Sequence, residues 1–295
     1  ELLELHTLGL DGGYTQDEVT ELARLLCGLT VTQEAPADGA GNYQRRVLRF
    51  DPDLSDGRPC TLLGRRFEAA APDARFDRVR EALELLASHP STARFVATKL
   101  AEHTVAVPAP EPLVADLAVE YLESGGDLRA MIHALARHPL FWDSVEAPRL
   151  STPLDYGLRL ARTTGLPQVD YSLREFLRNS GMGLFDRATP DGYPEEDAAW
   201  ADTNGLMQRW RWVQDVPWAV RTLVPDMSRR YSGGDPLAWA QRAVDHAAVR
   251  LTGWTLGDSS NAAALKFLQD DEGPAWRRVD AVTQLVCRLP EANLK

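Results

Sequence analysis

Several residue types that mark particular protein classes are scarce in this chain. Only three of its 32 basic residues are lysines, and only three cysteines occur, at Cys27, Cys60 and Cys287. The cysteines are far apart and form no C-x-x-C pair, so the sequence contains no zinc or thiol-redox motif. No run approaches the roughly 18 apolar residues that a membrane-spanning helix requires. These absences predict a soluble chain without a membrane span.

Motifs for nucleotide binding and for nucleophilic catalysis are also absent. The glycine pairs at residues 12–13 and 125–126 belong to neither G-x-G-x-x-G nor G-x-x-x-x-G-K-[ST], and no serine stands in a G-x-S-x-G elbow. The formal net charge is −11, from 43 acidic and 32 basic residues. Nucleic acid is therefore a disfavoured partner, because phosphate binding needs clustered cations. The sequence predicts no cofactor and no metal.

Apolar residues recur at helical intervals along much of the sequence. The 295 residues, 44% of them hydrophobic, can bury a substantial core in one large or two modest domains. Thr15 and Glu18 have the T-x-x-E spacing of a capping box, and apolar residues follow at helical intervals. A helix is predicted at about residues 15–27. The first half contains further predicted helices at about residues 75–87, 91–103, 111–123 and 127–138.

The predicted fold class is all-α, an irregular multi-helix bundle of helical hairpins with a small β-hairpin insertion. The insertion is expected at about residues 45–67, where two extended segments, 46–50 and 61–67, flank a polar loop with proline, aspartate and glycine. The two segments form either a small β-hairpin or two short extended arms. Residues 31–42 contain one proline and two glycines and are predicted to be a flexible loop.

The second half of the chain is predicted to be a separate helical region. Prolines near residue 150 interrupt the helical pattern, so the predicted domains are 1–148 and 149–295. The predicted helices lie near residues 153–163, 172–180, 204–214, 236–249, 259–269 and 276–288, with Ser172 and Glu175 as a second capping box. Between two of them, residues 181–202 form a long loop. Loops longer than about 12–15 residues without their own secondary structure are usually functional or disordered.

Several sequence blocks resemble a known family. The opening residues 1–17 resemble the family segment ARELLELHTLGVDGGYTQ-D, and residues 88–100 look like its HPATARFIARKL. Residues 125–130 reproduce its GGDLRA, and residues 182–200 follow its pattern GQPLF…P-x-P-x-GYP…W. From residue 1 to about residue 211 the chain thus resembles the bacterial family called domain of unknown function 1800. A sizeable helical region precedes the opening motif in that family, so the resemblance implies that an N-terminal part is absent here.

The resemblance implies kinship and architecture, but no activity. Many relatives carry a His-Asp pair where this chain has Ser55 and Asp56, so a role that depends on that histidine is not expected. Many relatives also have a signal peptide upstream. If the absent N-terminal part carried such a peptide, the protein would be exported to the periplasm or the extracellular space.

Two candidate catalytic residues lie in the opening motif, Glu4 and His6. They are two positions apart, so on an intact α-helix they lie on different faces and cannot bind one metal together. One interpretation is that Glu4 anchors an arginine while leucines face the core. The other is that Glu4 or His6 points into a pocket that later motifs complete.

Two more candidate catalytic residues, His89 and Lys99, belong to the block at residues 88–100. His89 precedes a predicted helix, where a neutral imidazole suits a structural cap or a general base. Lys99 is expected in the interior or a cleft and would then need a carboxylate partner, with Glu4 and Asp17 as candidates.

An aromatic cluster supplies the candidate binding residues. They lie in and after the loop at residues 181–202: Phe185, Tyr193, Trp200 and Trp210. Aromatic side chains beside a loop rich in proline and glycine suit a carbohydrate or peptide platform. The alternative is that they pack helices together.

Two classes of function stay open. The favoured one is a non-enzymatic binding or assembly module of an exported bacterial system, with the aromatic loop as its contact surface and a protein or an exported polymer as its partner. The alternative is a hydrolase-type enzyme whose site gathers Glu4, His6, His89 and Lys99. The first is favoured because no complete catalytic constellation is visible.

The first ten residues generate a prediction about association. Five of them are leucines, at positions 2, 3, 5, 8 and 10. A helix with so much apolar surface belongs in a core or against a partner. We expect this segment to be sunk into the body of the chain or covered by an absent N-terminal region or a second chain. Light scattering gives the solution mass, and a monomer whose leucines all lie on a solvated surface would contradict the expectation.

Overall fold

A computed structural model describes residues 1–34, 45–164, 171–215, 236–270 and 273–295. The chain divides into two compact units, Glu1–Trp142 and Asp143–Lys295. The predicted fold class is confirmed, because the structure is mostly helical with small antiparallel β-hairpins. The domain division predicted at 148/149 stays a prediction. No helix within the described ranges is both long and apolar enough to cross a membrane.

Unit 1 begins with a π-helical turn, Leu2–Thr7, and continues with helices at nearly all of the predicted positions. The helices are α1 (Gln16–Leu26), α2 (Arg75–Ala87), α3 (Pro90–Thr104), α4 (Glu111–Glu123), α5 (Leu128–Arg137) and the short α6 (Pro139–Asp143), which reaches the border between the units. Alanines 93, 97 and 101 of α3 are fully buried. Their small side chains, one turn apart, let α4 pack closely against α3.

The capping box of α1 is confirmed. The Thr15 backbone N–H donates to Glu18 Oε2 at 2.8 Å, and the Glu18 N–H donates to Thr15 Oγ1 at 3.3 Å. The second Glu18 oxygen accepts the backbone N–H of Leu63 at 2.9 Å. These hydrogen bonds, with the Thr15 backbone contributing most, lower the pKa of Glu18. One carboxylate therefore caps a helix and fixes a distant turn.

The β structure differs from the prediction. The strand β1 (Leu29–Glu34) pairs antiparallel with β2 (Arg45–Phe50), and β3 (Cys60–Leu62) pairs antiparallel with β4 (Arg65–Phe67). The prediction of one hairpin within residues 45–67 was therefore wrong in its pairing. The start of the predicted loop at residues 31–42 is strand, and residues 35–44 lie outside the described ranges. Thr and Val at residues 30–32 favour a strand. Its partner β2 begins only at Arg45, so the pairing is not evident from local sequence.

The opening leucines are partly sunk into unit 1. Leu3 is 2% and Leu8 is 4% exposed, and both pack with Leu22 and Leu25 of α1 and with other apolar residues of unit 1. Leu10, in contrast, is 76% exposed. Leu3 and Leu8 thus contribute to the core of unit 1. That an absent N-terminal region or a second chain covers Leu10 stays a prediction.

Unit 2 is also helical. Its helices are α7 (Pro153–Thr164), α8 (Tyr171–Asn179), α9 (Thr203–Asp215), α10 (Pro236–Thr252), α11 (Asp258–Asp270) and α12 (Ala275–Val286). The predicted capping box of α8 was wrong, because the helix begins at Tyr171 and Ser172 is already within its first turn. The core of this unit packs aromatic residues of α7, α8 and α9 against alanines of α10.

The last residues of the sequence are tied to the start of unit 2. Leu150 and Leu294 form an isolated antiparallel bridge. Beside it, the Lys295 N–H donates to the Arg149 carbonyl at 2.7 Å, and the Arg149 N–H donates to the Lys295 carbonyl at 3.1 Å. Arg159 of α7 donates to the carbonyls of Ala292 and Leu294.

A buried arginine joins three parts of this unit. Arg209 of α9 is 1% exposed. Its guanidinium donates to Asn293 Oδ1 at 2.7 Å and to the Ser151 carbonyl at 2.6 Å, and lies 5.2 Å from the centre of the Tyr156 ring. Burial lowers the pKa of Arg209 because desolvation penalises the charged form. Neutral oxygens and an aromatic face thus take the place of water around this cation.

We predict that Arg209→Ala lowers the free energy of unfolding by about 3–5 kcal/mol, because it leaves two buried acceptors without donors and opens a cavity. Urea unfolding followed by tryptophan fluorescence measures this, since seven of the eight tryptophans lie beyond residue 142. The control is Arg211→Ala, an exposed arginine of the same helix, with an expected change within about 0.5 kcal/mol. Equal stability of the two variants would contradict the prediction.

Candidate functional site

The opening pair of candidate catalytic residues lies on the π-helical turn. Glu4 is half-buried and His6 is exposed. Burial, and secondly the charge of Glu4, raises the pKa of the nearby Tyr14 hydroxyl. The α-helical spacing assumed for Glu4 and His6 does not apply, because the turn is a π-helix.

His89 is the N-cap of α3. Its Nδ1 accepts the backbone N–H of Ser91 at 3.1 Å, while its carbonyl accepts the N–H of Ala93 at 3.1 Å. The cap was one of the two roles left open by the sequence. In this arrangement Nδ1 is occupied by a helix amide, so a general base at this position would have to act through Nε2.

The expectation of a buried Lys99 was wrong. The side chain is 58% exposed, and its Nζ lies 3.0 Å from Glu102 Oε2 and 5.9 Å from the centre of the Phe95 ring. The physical reason is the phase of α3, whose buried face is formed by residues 93, 97 and 101. Position 99 lies off that face, and its carboxylate partner is the neighbour on the next turn instead of Glu4 or Asp17.

The four candidates do not form a connected polar site. In the part of the chain that the structure describes, no hydrogen bond or ion pair joins any two of Glu4, His6, His89 and Lys99. Within the same ranges, no three His, Cys, Asp or Glu side chains are placed so that they could hold a metal ion.

The long loop after α8 is braced by two of the candidate binding residues. The Tyr193 hydroxyl donates to the Gly183 carbonyl at 2.7 Å, and Trp200 Nε1 donates to the Pro194 carbonyl at 2.9 Å. The two rings lie 6.1 Å apart, and Trp200 is only 7% exposed. Tyr193 and Trp200 thus hold the loop in shape.

The other two candidate binding residues face solvent. Phe185 is fully exposed and adopts a left-handed backbone conformation with φ of 58°. Its neighbour Leu184 is 45% exposed. Trp210 of α9 is 42% exposed, and its Nε1 donates to the Arg288 carbonyl at 3.3 Å. Phe185 is therefore the large side chain that the loop presents most openly.

A polar cluster that the sequence did not indicate surrounds Asp56. Arg24 Nε lies 2.9 Å and Arg58 Nη2 lies 2.7 Å from Asp56 Oδ2. Hydrogen bonds from Arg58 and then from Arg24 hold the pKa of Asp56 well below its ordinary value. The Asp56 carboxylate is thus engaged by two guanidinium groups. Only the abundance of arginine hinted at such a cluster.

Two arginines of α2 hold the backbone of the same segment. Arg78, which is 8% exposed, donates to the carbonyl of Arg58 at 2.8 Å and lies 3.5 Å from Cys60 Sγ. Arg75 donates to the carbonyl of Ser55 at 3.0 Å. Burial raises the pKa of the Cys60 thiol more than the neighbouring Arg78 lowers it, which favours the unreactive thiol form. The cluster is therefore built to order a loop.

The family described as "Protein of unknown function (DUF1800)" matches residues 1–294 of the sequence. The chain belongs to this family. The match extends the resemblance seen in the sequence from about residue 211 to nearly the last residue. Comparisons with curated proteins and with solved structures found no match. Membership in DUF1800 fixes kinship, and a biochemical role must be argued from the side chains.

The Asp56 cluster predicts an acid-dependent contribution to stability in this DUF1800 protein. A carboxylate whose pKa is lowered in the folded state stabilises it above the unfolded pKa of about 4, and this stabilisation is lost as the pH falls through the folded value. We expect Asp56→Asn to cost about 1–2 kcal/mol at pH 7. The loss should shrink towards pH 2.

Urea titrations followed by circular dichroism at pH 7, 5 and 3 measure this effect. The control is Asp53→Asn, an exposed aspartate three residues away, which should keep the pH dependence of the unaltered chain. A constant difference between the Asp56 variant and the unaltered chain at all three pH values would refute the linkage.

Proposed function

We propose that this DUF1800 protein is a binding or assembly module of an exported bacterial system, and that the loop at residues 181–202 is its contact surface. The observation that carries the proposal is Phe185, a fully exposed phenylalanine in a left-handed backbone conformation. A non-glycine residue in that region is strained and persists only where its surroundings determine it.

The bracing of the loop explains how the strained conformation persists. The Asp186 N–H donates to the Gly183 carbonyl at 3.2 Å, and the same carbonyl accepts the Tyr193 hydroxyl. Leu184 and Phe185 therefore lie inside a tight turn that is closed at its base. A cation–π contact further supports the turn, because the Arg187 guanidinium lies 5.7 Å from the centre of the Tyr193 ring.

A braced, protruding phenylalanine has the properties of an interface anchor. Aromatic anchors that enter a partner's pocket supply much of the binding free energy of protein interfaces. Rigidity in the free state reduces the entropy lost on binding. The apolar pair at residues 184–185 thus suits an apolar pocket on another protein, with the charged residues of the loop at the rim.

The hydrolase alternative lacks a supporting contact in the described ranges. His89 Nδ1 caps a helix, Lys99 pairs with Glu102 at the surface, and Glu4 and His6 are joined to neither of them. The exposed loop is the better-supported functional surface.

Site-specific photocrosslinking in the bacterial host tests the proposal. A benzophenone amino acid replaces Phe185 in one variant and Leu54 in the control. Leu54 is matched in chemistry, because it is an apolar side chain that is 65% exposed in unit 1. After irradiation, we expect position 185 to give a discrete crosslinked product that position 54 does not give, and mass spectrometry then identifies the partner.

The same experiment can contradict the proposal. If both positions yield the same products, or if position 185 yields none while the variant is folded and abundant, the loop is not a contact surface. Phe185→Ala should also prevent co-purification of the partner that the crosslink identifies, without changing the circular dichroism spectrum.

A further inference from the structure

A row of apolar side chains on α5 of unit 1 faces solvent. Its members are one helical turn apart: Leu128, Ile132 and Ala136. Leu128 is 59% and Ile132 is 55% exposed, whereas Met131 and Leu135 of the same helix are buried in the core of the unit. The row therefore lies outside the packed face of α5.

A tryptophan lies at the end of this row. Trp142 of α6 is 61% exposed, and its Nε1 donates to the Ala136 carbonyl at 2.9 Å. Tryptophan is among the side chains that most often anchor protein interfaces. The apolar surface of α5 thus continues past its last turn onto a ring that a hydrogen bond holds in place.

The neighbouring helix α4 has an exposed apolar row as well, formed by Ala115, Val119 and Leu122. Val119 is 53% and Leu122 is 44% exposed. Other residues of α4 form its packed face: Leu113, Val114, Leu117 and Tyr121. Neither exposed row contributes to the core of unit 1, so both are available to another molecule.

A row of charged side chains follows each apolar row at the next residue. On α5 this row is basic: Arg129, His133 and Arg137. On α4 it is acidic: Asp116, Glu120 and Glu123. Asp116 pairs with His138, whose Nε2 lies 3.3 Å from Asp116 Oδ2. The other five side chains form no ion pair in the described part of the chain. Each helix thus presents an apolar row with an almost unpaired charged row beside it, and the two charged rows are opposite in sign.

An antiparallel contact between these two helices matches both kinds of row. If α5 of one copy runs opposite to α4 of a second copy, the apolar side chains meet in three pairs: Leu128 with Leu122, Ile132 with Val119, and Ala136 with Ala115. In an antiparallel pair, the residues that follow the two contact rows lie on the same side of the interface. The basic row therefore lies beside the acidic row. A parallel pair would place the two charged rows on opposite sides and lose the match.

We propose that this chain associates with a second copy of itself, with α5 of one copy packed antiparallel on α4 of the other. Charge complementarity identifies the occupant. The apolar row of α5 is bordered by bases, so it fits an apolar row of similar spacing that is bordered by acids, and α4 has both. The association goes beyond the proposed function and does not depend on it, because both rows lie in unit 1 and the loop at residues 181–202 lies in unit 2.

Sedimentation velocity of the unaltered chain tests the proposal. A contact between two helices is small, so the concentration is varied over roughly 5–500 µM, and we expect a concentration-dependent increase in mass. Ile132→Asp should raise the dissociation constant roughly tenfold or more, because it places a charge in the middle of the apolar contact. Phe185→Ala and Leu10→Asp should leave it unchanged, which separates this contact from the loop and from the opening segment.

Charge reversal tests the complementarity itself. Arg129→Glu with Arg137→Glu reverses the α5 row, and Glu120→Arg with Glu123→Arg reverses the α4 row. Each double variant alone should associate at least about tenfold more weakly, because like charges then face each other. An equimolar mixture of the two should associate again, because opposite charges face each other once more. The matched control is Arg46→Glu with Arg49→Glu, two exposed arginines of β2, which changes the net charge as the α5 variant does and should associate normally.

Three outcomes would overturn the proposal. One is a monomer at every concentration, which would leave the two rows to a different partner or to solvent. Another is association that survives Ile132→Asp and both charge reversals, or that only Leu10→Asp weakens, since the contact would then lie elsewhere. The third is a mixture of the two reversed variants that stays monomeric. Circular dichroism of each variant confirms that the altered chains are folded.

Discussion

The buried guanidinium of Arg209 is the constraint on which the described part of unit 2 depends. It fixes α9 against the start of the unit through the Ser151 carbonyl and against its last turn through Asn293. The helix that this cation anchors begins where the long loop ends. Because a buried guanidinium is costly without acceptors, moving α9 away from these two oxygens would be unfavourable.

In unit 1, charged side chains order the loops by forming hydrogen bonds with their backbone groups. The Glu18 carboxylate caps α1 and also accepts the Leu63 amide, which fixes the turn between β3 and β4. Arg75 and Arg78 of α2 hold the carbonyls of the segment after β2. In each case a charged side chain satisfies backbone groups of a loop that has few apolar residues of its own. Such bonds let irregular segments stay ordered beside a helical core, because buried backbone groups need partners.

The sequence predicted most helices of this chain and few of its long-range contacts. Helix positions follow from local signals, such as the Thr15–Glu18 box and the apolar periodicity, so the limits of α2 and α4 were predicted to the residue. The strand β1 was missed because its stability comes from pairing with β2 across a segment that carries turn residues. The exposure of Lys99 depends on the phase of α3 against α4, which apolar and small residues at mixed spacings left ambiguous. The sequence also could not separate Trp200, which braces a loop, from Phe185, which the loop displays. Both are aromatic residues of one irregular segment, where no periodicity marks a buried face.

The distribution of polar and aromatic groups bears on the class of function. The charged side chains with the best-defined geometry, Glu18, Arg78 and Arg209, are bonded to backbone groups or to other side chains of the scaffold. A catalytic carboxylate or imidazole needs instead a free donor or acceptor within reach of a substrate. One aromatic group, the side chain of Phe185, faces solvent from a braced loop. Aromatic surface on a rigid support gives affinity with little loss of entropy, whereas it transfers no proton and attacks no bond. In the described part of this DUF1800 chain, charged side chains thus hold the scaffold together, and the exposed Phe185 is the group that supports the proposed recognition role.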